Sequence, residues 1–104
     1  MKLLSIDYIP GCEIEAIGIA KGTVVSSKNI GKDIGAGFKG LVGGELTGYT
    51  EMLIEARQIA TKRMVDEAEA MGADAVINIR YGSSQIMSSA AEVIAYGTAV
   101  KIKE

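Results

Sequence analysis

From about Thr50 to Met71 the chain contains neither glycine nor proline, and most residues in between are good helix formers. This stretch constrains the fold more than any other. In a chain of 104 residues, one helix of that length leaves room for a single hydrophobic core, so residues 1–104 read as one domain. Glu51 and Glu55 lie near the expected start, where the positive end of the helix dipole favours acids, and Gly72 supplies the stop. On a helical projection Leu53, Ile54, Ala56, Ala60, Met64, Val65, Ala68 and Met71 share one half of the circumference. Glu51, Glu55, Gln58, Lys62, Asp66 and Glu69 share the other. Lys62 with Asp66 and Arg63 with Glu67 are spaced for ion pairs along the exposed side.

The flanking segments read as strands. Leu3 to Ile9 is the first, closed by the turn signal Pro10-Gly11. Glu13 to Ser27 is a longer one, with Ile14, Ala16, Gly18 and Ala20 expected on one side, Glu15, Ile17 and Ile19 on the other, and a bulge or bend at Gly22. After the helix, Asp74 to Tyr81 alternates, with Ala75, Ile77, Ile79 and Tyr81 expected to share a face. The polar run Gly82-Ser83-Ser84-Gln85 reads as a turn, and Glu92 to Ile102 as the last strand. The order β-β-α-β-β gives an α+β domain with one long helix on a largely antiparallel sheet.

One helix covers one sheet face, yet both sides of these strands carry apolar residues. Met52 and Ile59 form a second apolar patch on the helix flank, exposed in a monomer, and Arg57 lies inside the apolar arc, where a charge belongs at an interface or in a pair. A homo-oligomer is the expectation.

Composition excludes several classes of function. There is no histidine, which removes the commonest general base and metal ligand and every Ser-His or Cys-His pair. Net charge is −2 and the 11 Lys and Arg are scattered, so no basic stripe addresses nucleic acid. A single cysteine, Cys12, cannot form an intrachain disulfide, and no apolar run is long enough to span a bilayer. The expectation is a cytoplasmic protein with no membrane or nucleic-acid partner and no catalytic constellation.

Two local features invite a ligand. Gly35-Ala36-Gly37-Phe38-Lys39-Gly40 matches G-x-G-x-x-G, but the helix begins too late to receive a pyrophosphate, and the counterpart acid, Glu55, falls inside that helix. A tightly folded connection or an assembly element explains the glycines between Gly31 and Gly48 better, with Ile30, Ile34, Phe38, Leu41, Val42 and Leu46 supplying contacts. Cys12 and Glu13 present a thiol beside a carboxylate, the chemistry of a soft or borderline ion with further ligands from another chain; a lone cysteine is more often a small buried hydrophobe. Glu45, Tyr49 and Glu51 border the expected helix start and either line a polar cleft or serve as ordinary dipole residues.

The runs Gly43-Gly44-Glu45-Leu46, Tyr49-Thr50-Glu51-Met52-Leu53, Glu55-Ala56-Arg57, Gly72-Ala73-Asp74-Ala75-Val76-Ile77 and Ala95-Tyr96-Gly97-Thr98-Ala99-Val100 resemble, in order and spacing, the YbjQ family, which carries a heavy-metal-binding label. The resemblance implies a dodecin-subunit-like fold and assembly as a ring, a homopentamer. It also implies a divalent or heavy metal ion as ligand, its identity open. Gly43, Gly44, Glu45, Tyr49 and Arg57 are the expected ligand or interface positions, and Cys12 and Glu13 the expected metal contacts. Storage of a small ligand in clefts between subunits is the alternative, although the chain has no tryptophan for aromatic stacking.

Overall fold

The computed structural model describes residues 1–27, 41–42, 45–87 and 90–103, with side chains for 1–27, 48–87 and 90–103. The elements are β1 (Lys2–Leu3), β2 (Glu13–Ser27), β3 (Leu41–Val42), β4 (Glu45–Leu46), α1 (Thr47–Ala70), β5 (Ala75–Met87) and β6 (Ala90–Lys103). Four strands form one sheet in the order β1-β5-β6-β2, and β3 and β4 pair separately. β6 is antiparallel to both neighbours, and only the short β1 runs parallel to β5. The α+β architecture is as expected, with one helix on a mixed, largely antiparallel four-stranded sheet.

The helix starts at Thr47, earlier than expected, because Gly48 is absorbed into its first turn. Its end is a Schellman motif: the Ala73 N–H donates to the Ala68 carbonyl and the Gly72 N–H to the Glu69 carbonyl, with Gly72 at φ +82°. Ala56, Ala60, Met64 and Ala68, each four residues from the next, are fully buried, and they meet Ala20, Val24, Val76, Ile79, Val93, Ala95 and Ala99 of the sheet. Small residues on both sides let the backbones approach closely. A Cβ at Gly22 would collide with the Ala60 carbonyl oxygen and the Met64 nitrogen, and would lie 2.8 Å from Arg63 Cβ. Gly22 is therefore the seat of the helix and not a bulge. The outer side of α1 is charged, with Lys62 and Asp66 at 3.0 Å. Arg63 does not pair with Glu67; its guanidinium donates to the Thr23 carbonyl at 2.7 Å and ties α1 to β2. Met52 and Ile59 are half-buried, and Arg57 is exposed rather than held in the apolar arc.

Two irregularities divide the faces of the sheet. The β2–β6 register shifts between Ala16 and Gly18, leaving Ile17 as an extra residue, and the β5–β6 register shifts between Ile77 and Arg80, where Asn78 has φ +54°. Ile14 and Ala16 consequently lie on the face opposite Gly18 and Ala20, and Ala75 and Ile77 on the face opposite Ile79 and Tyr81, correcting the simple alternation expected for both strands. On that second face Ile9, Ala75, Ile77 and Val100 form a separate buried cluster with Leu4, Ile14 and Ile102 packed against it. Its cover is the N-terminal segment. Only Lys2–Leu3 form a ladder, so the expected strand Leu3 to Ile9 is shortened; the chain continues along β5 through Leu4 N–H to the Val76 carbonyl, Ile79 N–H to the Leu4 carbonyl and Asn78 N–H to the Ile6 carbonyl. It then buries Ile9 and turns at Pro10-Gly11, with Gly11 at φ +77°, into β2.

The supposed turn at Gly82 to Gln85 is also strand, for β5 runs on to Met87 against β6. The result is a long antiparallel ribbon.

Two substitutions test this account by chemical denaturation. Gly22→Ala forces the helix off its seat and should cost about 3 kcal/mol or prevent folding, whereas the same change at Gly82, where the nearest atom is the Ile94 Cγ2 methyl at 3.3 Å and no backbone stands in the way, should be milder. Asn78→Val, a β-branched side chain at positive φ, should cost about 1–3 kcal/mol, and Asn78→Gly should be tolerated.

A candidate functional site on the uncovered sheet face

Past the reach of the N-terminal segment, the face of the sheet opposite α1 has no cover among the described residues. The register places its residues in rows across β5, β6 and β2: Ile77, Thr98 and Ile19; Arg80, Tyr96 and Lys21; Gly82, Ile94 and Thr23; Ser84, Glu92 and Val25. Ile19 is 69% exposed, Val25 57% and Tyr96 42%, and Ile94 between them is half-buried. On the opposite face α1 covers β2 and β6 at Ala20, Val24, Val93 and Ala95, while Tyr81 of β5 stays 49% exposed. The apolar side chains of the uncovered region, Ile19 and Val25 of β2 and Ile94 and Tyr96 of β6, lie on two neighbouring strands with Lys21, Thr23 and Glu92 among them, which makes this face a candidate interaction surface. At its β5 end the Arg80 guanidinium donates to the Ser5 carbonyl at 3.0 Å and to the Ile79 carbonyl at 2.9 Å, which fixes that corner against the N-terminal segment.

The residues singled out in the sequence do not converge on one site. Cys12 is an exposed free thiol in the turn whose N–H donates to the Ile9 carbonyl, not a buried hydrophobe, and Glu13 opens β2 opposite Lys103. Glu45 sits in β4, its backbone paired with Val42, and its side chain lies outside the described residues. Gly43, Gly44 and the whole G-x-G-x-x-G run also lie outside them. Tyr49, half-buried on the first turns of α1, lines a groove with Met52, Leu53, Gln85, Met87, Ala90 and Ala91. Arg57 borders a shallow depression floored by Thr61 and Tyr81. There the Thr61 hydroxyl donates to the Arg57 carbonyl at 2.7 Å, which leaves the Tyr81 hydroxyl to donate to Thr61 Oγ1 at 2.8 Å. Glu51 and Glu55 share a third groove with Ser26, Ser27, Met52 and Ile59.

Among the described residues, no three of His, Cys, Asp or Glu come together as a metal cage. Cys12 and Glu13 supply two donors at most, so the described part of one protomer does not fit a resident heavy-metal ion. No helix of the described residues is long and apolar enough to cross a membrane. The patch that dominates instead was partly readable, since Ile17 and Ile19 stand opposite Ala16 and Ala20 in the sequence. That β5 continues beside it through Gly82 and Ser84 was hidden by the polar, turn-like composition of that run.

Comparison with known proteins places the chain in a family. A family model described as "YbjQ_1: Putative heavy-metal-binding" matches residues 1–103. A UPF0145 protein of Clostridium novyi is 63% identical over 102 residues, covering 98% of this chain and 99% of that protein. A UPF0145 protein of Fervidobacterium nodosum is 58% identical over 105 residues, covering 100% of this chain and 97% of that one. Among solved structures, a protein of unknown function from Pediococcus pentosaceus, assigned to the DUF74 family, superposes with a TM-score of 0.65 at 15% identity, over 99% of this chain and 98% of its own; at that identity the likeness concerns the fold. With a whole-chain family match and near-full-length relatives around 60% identical, this chain belongs to the YbjQ (UPF0145) family.

Proposed function

We propose that this protein works as a cytoplasmic homo-oligomer, a pentameric ring of the kind the family resemblance implies, and that it acts without catalysis by binding at the junctions between copies. The observation that carries the oligomer is the group of apolar side chains Ile19, Ile94, Tyr96 and Val25 on the sheet face that α1 does not cover. Covering such a face removes apolar area from water at about 25 cal/mol per Å², and a second copy is the partner always present at the protein's own concentration. The ligand class comes from the family label, heavy metal. Because the described residues of one protomer make no three-donor cage, metal binding in this reading requires donors from more than one copy, with the exposed Cys12 and Glu13 as contributors. A small organic ligand held between subunits is the second reading, favoured by the groove of Tyr49, Met52, Leu53 and Met87, which is apolar and open at the edge of the sheet.

Light scattering on purified protein at micromolar concentration should give a multiple of 10.9 kDa, five copies for the ring proposed, and Ile19→Asp should dissociate it. A monomer overturns the assembly. Anaerobic titration with zinc, copper(I) and cadmium, followed by elemental analysis after gel filtration, should show bound metal in the wild type and less in Cys12→Ser. Stoichiometry near zero for all three ions removes the metal reading and leaves a copurifying small ligand, sought by native mass spectrometry, as its replacement.

A further inference from the structure

The seat at Gly22 places α1 over β2 and β6, and beyond Ile79 every residue of β5 except Gly82 is exposed. The flank of the helix and the uncovered strand therefore meet in a step. This step is the depression lined by Ile54, Arg57, Gln58, Thr61, Lys62 and Tyr81, with a volume of about 520 Å³, which is the size of a small-molecule site. Its charge is one-sided. None of the six residues is acidic and two are cationic, in a chain where 13 Asp and Glu outnumber 11 Lys and Arg, while Glu51 and Glu55 of the same helix line the separate groove beside Ser26 and Ser27. Lys62 is held by Asp66 at 3.0 Å, whereas the exposed Arg57 guanidinium makes no hydrogen bond or ion pair among the described residues.

The wall facing that guanidinium's helix is an aromatic ring fixed at both ends. The Tyr81 backbone is paired with Ala95 in the sheet, and its hydroxyl donates to Thr61 Oγ1, whose own proton is committed to the Arg57 carbonyl. Ile54, 42% exposed, adds apolar surface on the helix side. A ring already held in place costs little further ordering when something settles on it. We propose that this depression binds a small organic anion, with a planar apolar body against Tyr81 and Ile54 and a carboxylate or phosphate on the Arg57 guanidinium. The guanidinium fork receives either oxyanion through two parallel N–H bonds. All six residues belong to one protomer, so the site is separate from Cys12 and Glu13 and from the Tyr49 groove, and it does not depend on the assembly.

The test is a titration of isotope-labelled wild-type protein, followed by amide NMR, with benzoate and phenyl phosphate as anionic probes, benzamide as the neutral ring and inorganic phosphate as the anion without a ring. At least one of the first two should shift the amides around Arg57, Thr61 and Tyr81 and bind about tenfold or more tightly than benzamide and inorganic phosphate. Which of the two binds better distinguishes a carboxylate ligand from a phosphate. Arg57→Gln should abolish the preference over benzamide, Arg57→Lys should keep part of it, and Tyr81→Leu should weaken the ring-bearing probes, each in protein whose amide spectrum is otherwise that of the wild type. The proposal is overturned if no anionic probe shifts these amides at about 10 mM, where a site with a Kd of about 1 mM is largely filled. It is equally overturned if benzamide or inorganic phosphate binds as tightly as the ring-bearing anions, or if Arg57→Gln or Tyr81→Leu leaves their affinity unchanged.

Discussion

The close seating of α1 on β2 at Gly22 is the contact on which the rest of the structure depends. Backbone meets backbone there, Ala56, Ala60, Met64 and Ala68 lie flat on Ala20, Val24, Ala95 and Ala99, and Arg63 locks the pair through the Thr23 carbonyl. Such contact commits the helix wholly to one face. Nothing else in the described chain is long enough to protect the other, and a 24-residue helix, about 36 Å long, has no second side to offer it.

The bulges at Ile17 and Asn78 relieve part of that imbalance. By sending Ile14, Ala16, Ala75 and Ile77 to the far face only at the end where the N-terminal segment crosses, they give those residues a cover in Leu4 and Ile9. The charges of that end, Glu13, Glu15, Lys101 and Lys103, go to the helix side beyond the reach of α1, where Lys103 and Glu15 approach to 3.8 Å. This weak, exposed pair adds little stability. What the bulges do not reach is the other half of the ribbon, and the apolar rows from Ile19 to Val25 follow from that.

The sequence carried the element types well because they rest on strong signals: an uninterrupted helical stretch ended by Gly72, a turn at Pro10-Gly11, and alternation in β2 and β6. Face assignments failed at Ile17 and Asn78, because a bulge inserts one residue without any mark in composition; only the tolerance of Asn for positive φ hinted at the second. Gly82 to Gln85 looked like a turn because its residues are small and polar, and pairing with β6 overrode that preference. The surplus of apolar face was legible in the sequence. Its location was not, since it depends on where α1 and the N-terminal segment stop. The candidate ligand positions fared differently, with Cys12, Glu13, Tyr49 and Arg57 dispersed over the protomer, while Gly43, Gly44 and the Glu45 side chain fall outside the described residues.

The proposed assembly covers the exposed residues Ile19, Val25 and Tyr96 of each protomer with other copies. The central claim, that the face opposite α1 is buried by other copies, is tested most directly by hydroxyl-radical footprinting of Tyr96 in wild-type protein. Tyr96 should be labelled slowly, and labelling should rise when the assembly is dissociated by dilution or by Ile19→Asp. Labelling in the wild type as fast as its 42% exposure in the isolated protomer demands, and unchanged on dissociation, would contradict the claim.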